Sequence, residues 1–347
     1  MVTRALFVLV AAAGCGGRGA YPGGTPAKPV QPAAQAGARG IEAAGLPYHV
    51  LDRRGHELAE DALWKALGAA RVVCVGEEHP NPHDHWVQLQ IVQHLVKVWP
   101  HFALAMEMFQ RPFQGVLDDY AARRIDDSAL RSRTGWEDRW GYSFDLYKPI
   151  IAAAVDAHAT LLALNAPKEL TKKVAHHGLE SLAPDEKAEL PQLNLDDKAH
   201  RAWFDTLMED MGGVQAHSKK PDSDGKDKDD DQDKDHAADD MPSADRVYTV
   251  QVIWDETMAD TTAKWLAAHP ESRVVILAGN GHCHDTAIVN RIKRRGIKDV
   301  VSVRAVIDDG EGSVAEALAK PINDFIVVLE PPPDVKARMH DDQHEAQ

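Results

Sequence analysis

Val72-Val73-Cys74-Val75-Gly76-Glu77-Glu78-His79 and Val274-Val275-Ile276-Leu277-Ala278-Gly279-Asn280-Gly281-His282 are the two stretches that decide the fold. Each is an apolar run without polar alternation, as expected of a strand covered on both faces. Each ends in a glycine turn that presents a histidine. In an open parallel sheet, ligands bind outside the carboxyl ends of the strands. Two such turns, distant in sequence, can therefore meet in one pocket.

Four further runs read as strands, giving six in all: 72–75, 102–106, 160–164, 274–277, 300–306 and 325–329. Helical periodicity separates them at 85–98, 144–158, 247–268 and 288–295. Alternation of strand and helix predicts an α/β fold, a mostly parallel sheet flanked by helices with right-handed crossovers. Between 168 and 245 no strand is evident, and a helix is expected at 197–211. That stretch reads as a smaller inserted helical subdomain, with the sheet domain formed by 46–167 and 246–332. Within it, residues 219–240 hold ten Asp and five Lys, a tract that cannot bury apolar surface. Asp222-Ser223-Asp224-Gly225 faintly resembles a calcium loop but lacks its closing Glu, so a solvated acidic loop is expected.

The 347 residues are 44% hydrophobic and carry a formal charge of −15. That balance excludes nucleic acid as a partner, because phosphates would be repelled. The N-terminus, residues 1–15, reads as a signal peptide: Arg4, an apolar run too short to span a bilayer, then Ala12-Ala13-Gly14-Cys15. Small residues before a cysteine resemble a lipobox, although Ala12 stands where Leu is usual. The expectation is lipidation at Cys15, a membrane anchor in the cell envelope, and a Gly/Ala/Pro-rich tether over 16–45. Residues 333–347 read as a tail. Of the two remaining cysteines, Cys74 and Cys283 sit beside the two glycine turns. A bond between them is geometrically possible, but the preferred reading is two small core residues.

Polar groups cluster where the strands end: Glu77, Glu78 and His79; Glu107; Asn165; Asn280 and His282. A carboxylate at the end of an apolar run, such as Glu107, is costly unless paired, hydrogen-bonded or metal-bound. His79, Glu107 and His282 suit zinc or a similar divalent metal. In that case Glu78 or Glu107 would serve as general base for metal-dependent hydrolysis. His83, His85 and His284 read as exposed loop or helix-start residues. A second cluster is aromatic: Trp136, Trp140, Tyr142, Phe144 and Tyr147. Phe144 is expected to pack a helix on the sheet. The group also suits a flat apolar cofactor, since a Tyr phenolate is an axial ligand of ferric haem. Trp254 and Met258, four apart, are expected to pack in the core.

Taken in order, the stretches 75–85, 105–109, 140–149, 163–167, 254–259 and 277–282 resemble the ChaN family of bacterial haem-binding lipoproteins, in the Tiki/ChaN-like superfamily. The resemblance implies a parallel sheet with a smaller helical domain and a role in haem or iron uptake. It implies haem held as a cofacial pair across a homodimer, with a Tyr iron ligand and a His near the propionates. Tyr147 and then Tyr142 are the candidate ligands, with Trp140, His79 and His282 beside the haem. It also implies an outer-membrane lipoprotein facing the periplasm. The wider superfamily implies a rival, a Tiki-like metal-dependent protease or an esterase-like enzyme using His79, Glu107 and His282.

Overall fold

The computed structural model describes residues 46–210, 242–320 and 322–331. The expected signal segment with Cys15, the tether, the Asp/Lys tract with its calcium-like stretch, and the tail all lie outside the described residues.

The strands are β1 (Tyr48–Asp52), β2 (Glu57–Leu58), β3 (Val72–Glu77), β4 (Phe102–Gln110), β5 (Thr160–Asn165), β6 (Arg273–Gly279), β7 (Val300–Ile307) and β8 (Phe325–Leu329). They form one sheet in the order β2-β1-β8-β7-β3-β6-β4-β5. From β8 to β5 every neighbouring pair is parallel. At the other edge β1 runs antiparallel to β8 and to β2. The sequence reading finds six of these strands. It misses β1 and β2, which are short and lack a continuous apolar run.

Five helices matter to the site: α1 (Pro82–Val98), α2 (Phe144–Asp156), α3 (Lys168–His177), α4 (Ala244–Ala268) and α5 (Ile288–Arg294). Strand residues alternate between two cores, which is the period-2 consequence of the pleat. Val73, Val75, Leu104, Met106, Val275 and Leu277 face Ile91, Leu95 and Ile151 of α1 and α2. Cys74, Ala105 and Ile276 face Met258 and Ile288 of α4 and α5. Full burial stabilises each large side chain by roughly 1.5–3 kcal/mol. Covering both faces explains why the central strands read as unbroken apolar runs. Residues 168–210 carry the helices Lys168–His177, Pro184–Ala188 and Lys198–Asp210, with no strand among them.

The topology brings β3 and β6 together as hydrogen-bonded neighbours, with Gly76 opposite Ala278 and Glu77 opposite Gly279. The two glycine turns thus leave the sheet side by side. Cys283, just past the second turn, folds back onto the face that carries Cys74, and the two form a disulfide with Cα atoms 5.5 Å apart. This corrects the preferred sequence reading of two separate thiols. Both sulfurs belong to the same buried cluster, and adjacency of β3 and β6 sets their backbones at bridging distance.

Candidate functional site

A cleft opens at the carboxyl ends of β3, β6, β4 and β5, with a cavity volume of about 200 Å³. His79, Glu107, His282 and Asn165 line it together with Trp140 and Tyr142. Four strand ends therefore do converge, as the sequence pattern predicts.

On one side of the cleft, Glu77 is the organising group. It accepts from Tyr147 Oη at 2.7 Å and Gln88 Nε2 at 2.8 Å, and its Oε1 lies 2.8 Å from His79 Nδ1. His85 Nδ1 lies 3.5 Å from its other oxygen. Burial alone would raise the Glu77 carboxyl, but His85, His79 and Tyr147 overcome it and hold it down at about 2. Burial depresses the His79 imidazole, and Glu77 and then Glu107 reverse this, leaving it raised. His85 is fully buried and its Nε2 lies 2.9 Å from the His79 carbonyl. It fixes the turn from beneath, contrary to the exposed position expected of it. Glu78, nominated as a base, is exposed, and its N–H donates to Asp84 Oδ2 at 2.7 Å.

On the other side, His282 Nδ1 lies 2.7 Å from Asp255 Oδ1 of α4, while Nε2 lies 3.4 Å from Glu107 Oε1. Gln251, one helical turn before Asp255, donates to the Gly281 carbonyl at 3.0 Å. Asp255 also meets His200 Nε2 at 3.0 Å and Arg291 Nη1 at 3.6 Å. Burial opposes the charge on Asp255, but Arg291, His200 and His282 outweigh it and hold this carboxyl below the usual range. Burial pushes the His282 imidazole down, and Glu107 and Asp255 more than restore it. Glu107, only 6% exposed, accepts the Gly279 N–H at 2.7 Å. His284 is likewise buried rather than exposed, 4.2 Å from the Trp203 ring, and burial pushes its imidazole down to about 3.

The glycines of the two turns are required by contact. A Cβ on Gly279 would lie 2.9 Å from His79 Cε1, and one on Gly76 would lie 2.3 Å from Asn280 Oδ1. Asn280 is 9% exposed and neither end of its amide has a hydrogen-bond partner.

The aromatic block divides. Tyr147 is 0% exposed, its hydroxyl committed to Glu77, and it does not line the cleft. Tyr142 does line it, half-buried, 4.9 Å from the His79 ring, and its hydroxyl has no hydrogen-bond partner. Trp140 stands edge-on to His79 at 4.6 Å, its indole N–H also unpartnered. The geometry reverses the order in which the sequence ranks the two tyrosines as ligands. Phe144 packs on Trp136 at 5.1 Å, and Met258 is buried in the core. Trp254 packs against the core that contains Met258, as expected, and it also lines the cleft with its ring 5.9 Å from His282.

His79, Glu107 and His282 line one cleft, yet among the described residues no group of three or more His, Cys, Asp or Glu is disposed to hold a metal ion. Sequence reasoning missed Asp255 and Gln251. No sequence signal separates them from exposed polar residues of the same helix, since Asp255 is followed by Glu256 and Thr257.

Fold and site together define an α/β ligand-binding protein whose cleft combines carboxylate-backed histidines with an unsatisfied phenol and indole. A family model described as "Haem-binding uptake, Tiki superfamily, ChaN" matches residues 63–292. The chain belongs to that family. Among solved structures it is similar to one described as cofacial heme binding to ChaN of Campylobacter jejuni. The TM-score is 0.59 at 16% identity, covering 82% of this chain and 97% of that one. It is also similar, at a TM-score of 0.41, 10% identity and coverage of 82% and 83%, to an erythromycin esterase in its open conformation. No curated protein sequence matches the chain.

Proposed function

We propose that this chain binds haem in the cleft, with Tyr142 as the iron ligand, and serves haem or iron uptake at the bacterial cell envelope. The observation that carries the reading is the Tyr142 hydroxyl, a buried oxygen without a partner in a cleft walled by Trp140 and His79. A buried polar group left unsatisfied costs about 1–3 kcal/mol, which a ligand bond would relieve. A tyrosinate at this place supplies an anionic axial ligand to ferric iron. Trp140 offers an apolar edge to the macrocycle, and His79 and His282 would lie beside it.

The cavity of about 200 Å³ is smaller than the roughly 300–1,000 Å³ of enclosed ligand pockets. A homodimer, in which a second copy of the chain would complete the enclosure of the ligand, is part of this reading. The Cys74–Cys283 disulfide supports residence in an oxidising compartment such as the periplasm. The expected lipid at Cys15 would hold the protein at the outer membrane. Cys15→Ser should release it from the membrane fraction.

Hemin added to the protein lacking residues 1–15 should give a shifted Soret band. Tyr142→Phe should abolish or strongly shift it, while Tyr147→Phe should leave it in place. Absence of any Soret change in the unsubstituted protein sinks this reading.

A second reading, a metal-dependent hydrolase of the Tiki-like type, is favoured by one specific observation. Both cleft histidines are backed by carboxylates at Nδ1, the arrangement that orients metal-ligating imidazoles. In that reading His79, His282 and Glu107 would have to draw together around zinc or another divalent ion, since as placed they form no metal-holding group. Elemental analysis of purified protein with and without His282→Ala tests it, and absence of stoichiometric metal in both removes it.

A further inference from the structure

The walls of the cleft differ in charge. The strand ends supply Glu77, Glu78 and Glu107, whereas the segments beyond the ends of β4 and β5 supply Arg139, Lys168 and Lys172. The cationic wall is built rather than incidental. Gln110, at the end of β4, accepts from Arg139 Nη1 at 2.7 Å and from the Lys168 N–H at 3.1 Å. Arg139 is further held by Glu169, at 2.5 Å from Nη2. Its charge is thereby matched internally, and it acts as a strut. Lys168 Nζ reaches only a carbonyl, that of Asp138, at 2.6 Å. Lys172, one helical turn along α3, is exposed at the mouth. Among the described residues, two ammonium groups on α3 thus remain without a carboxylate partner, in a cleft that also holds Glu78.

From this asymmetry we infer that Lys168 and Lys172 read the two propionate carboxylates of the tetrapyrrole and fix its orientation in the cleft. The inference rests on the haem reading above and deepens it. A dianionic ligand edge is repelled by the exposed Glu78 and attracted by the lysine pair, so one orientation is preferred. Trp140 and Tyr142 adjoin Arg139 in sequence and line the same cleft. The selectivity is for a planar dicarboxylate, not for a planar apolar molecule in general.

The test compares hemin, hemin dimethyl ester and metal-free protoporphyrin IX, all presented in the same detergent micelles to the same protein. Wild type should bind hemin roughly 2- to 30-fold tighter than the ester, the scale expected of two partly exposed charge pairs. Lys168→Met/Lys172→Met should remove that difference by weakening hemin while leaving the ester unchanged. Protoporphyrin IX, without iron, should keep the sensitivity to the lysines. Equal binding of hemin and ester by wild type overturns the lysine assignment alone. A double variant that weakens both ligands alike also overturns it. Failure of all three to bind overturns the haem reading and this inference together.

Discussion

Nδ1 of His282 lies 2.7 Å from Oδ1 of Asp255. The second turn of the cleft is therefore not held by its own backbone alone. It is docked through its histidine onto a helix from the opposite face of the sheet, where Asp255 is in turn gripped by Arg291 and His200. Loss of the Asp255 charge would leave Arg291 with Glu256 as its carboxylate partner and would strip His200 and His282 of theirs on this helix.

Asp255→Asn should consequently destabilise the fold by about 3–5 kcal/mol, the usual cost of breaking a buried pair. Urea unfolding measures it. The same variant should lower the titration midpoint of His282, because Asp255 is one of the two groups that raise it above its ordinary value. An NMR titration of the His282 ring reads this directly, and an unchanged midpoint would contradict the account.

Glu77 predicts the acid limb of stability. Its carboxyl is held at about 2 against an ordinary 4.5. A depressed carboxylate contributes stability that is present above 4.5 and is lost as pH falls through the folded value. The contribution is roughly 3 kcal/mol. Glu77→Gln should flatten the dependence of unfolding free energy on pH between about 4.5 and 2. His79 and His282 act in the opposite sense. Their raised values give stability that is complete below about 6.5 and declines as pH rises through the folded values.

The Cys74–Cys283 bond closes a loop with a sequence separation of 209 residues. Chain-entropy arguments assign such a closure about 5 kcal/mol, as an upper figure. Cys74→Ala/Cys283→Ala should lower the melting temperature markedly. In the native protein, reductant plus alkylating agent should label neither thiol on the timescale that labels the unfolded chain, as mass spectrometry would record. Rapid native labelling would contradict the full burial of Cys74 and Cys283.

Gly76→Ala should be disruptive because the added methyl meets Asn280 Oδ1 at 2.3 Å. Overpacking of this kind costs about 1–3 kcal/mol. Combining it with Asn280→Ala should recover most of the loss, a non-additivity that a double-mutant cycle measures by denaturant unfolding.

The sheet was legible because its central strands are buried on both faces and so lack polar alternation. The edge pair β1 and β2 was not, since Tyr48–Asp52 is short and its two buried apolar residues, Val50 and Leu51, are flanked by His49 and Asp52. Residues at strand ends were legible for the same reason, a polar group that interrupts an apolar run. Gln88, Gln251 and Asp255 were hidden because buried polar groups on helices carry no such interruption, and only the fold shows what they face. The exposed positions expected of His85 and His284 failed on a related point. A histidine next to a turn reads as solvated until a carbonyl or a ring is found stacked on it. The disulfide needed the adjacency of β3 and β6, which spacing alone does not state.

That adjacency also governs when the site comes into being. β6 sits between β3 and β4 in the sheet, yet it follows them in the chain by more than 160 residues. A chain growing from its N-terminus makes the first glycine turn, the aromatic block and the β4 carboxylate early, and holds them with an open seam down the centre of the sheet. The cleft closes in one event, when Arg273–Gly279 slots into that seam and carries His282 and Cys283 with it. Non-local closure of this sort is slow, and until it occurs the apolar flanks of β3 and β4 stay exposed and sticky. No complete cleft exists until Arg273–Gly279 and the turn that carries His282 are in place.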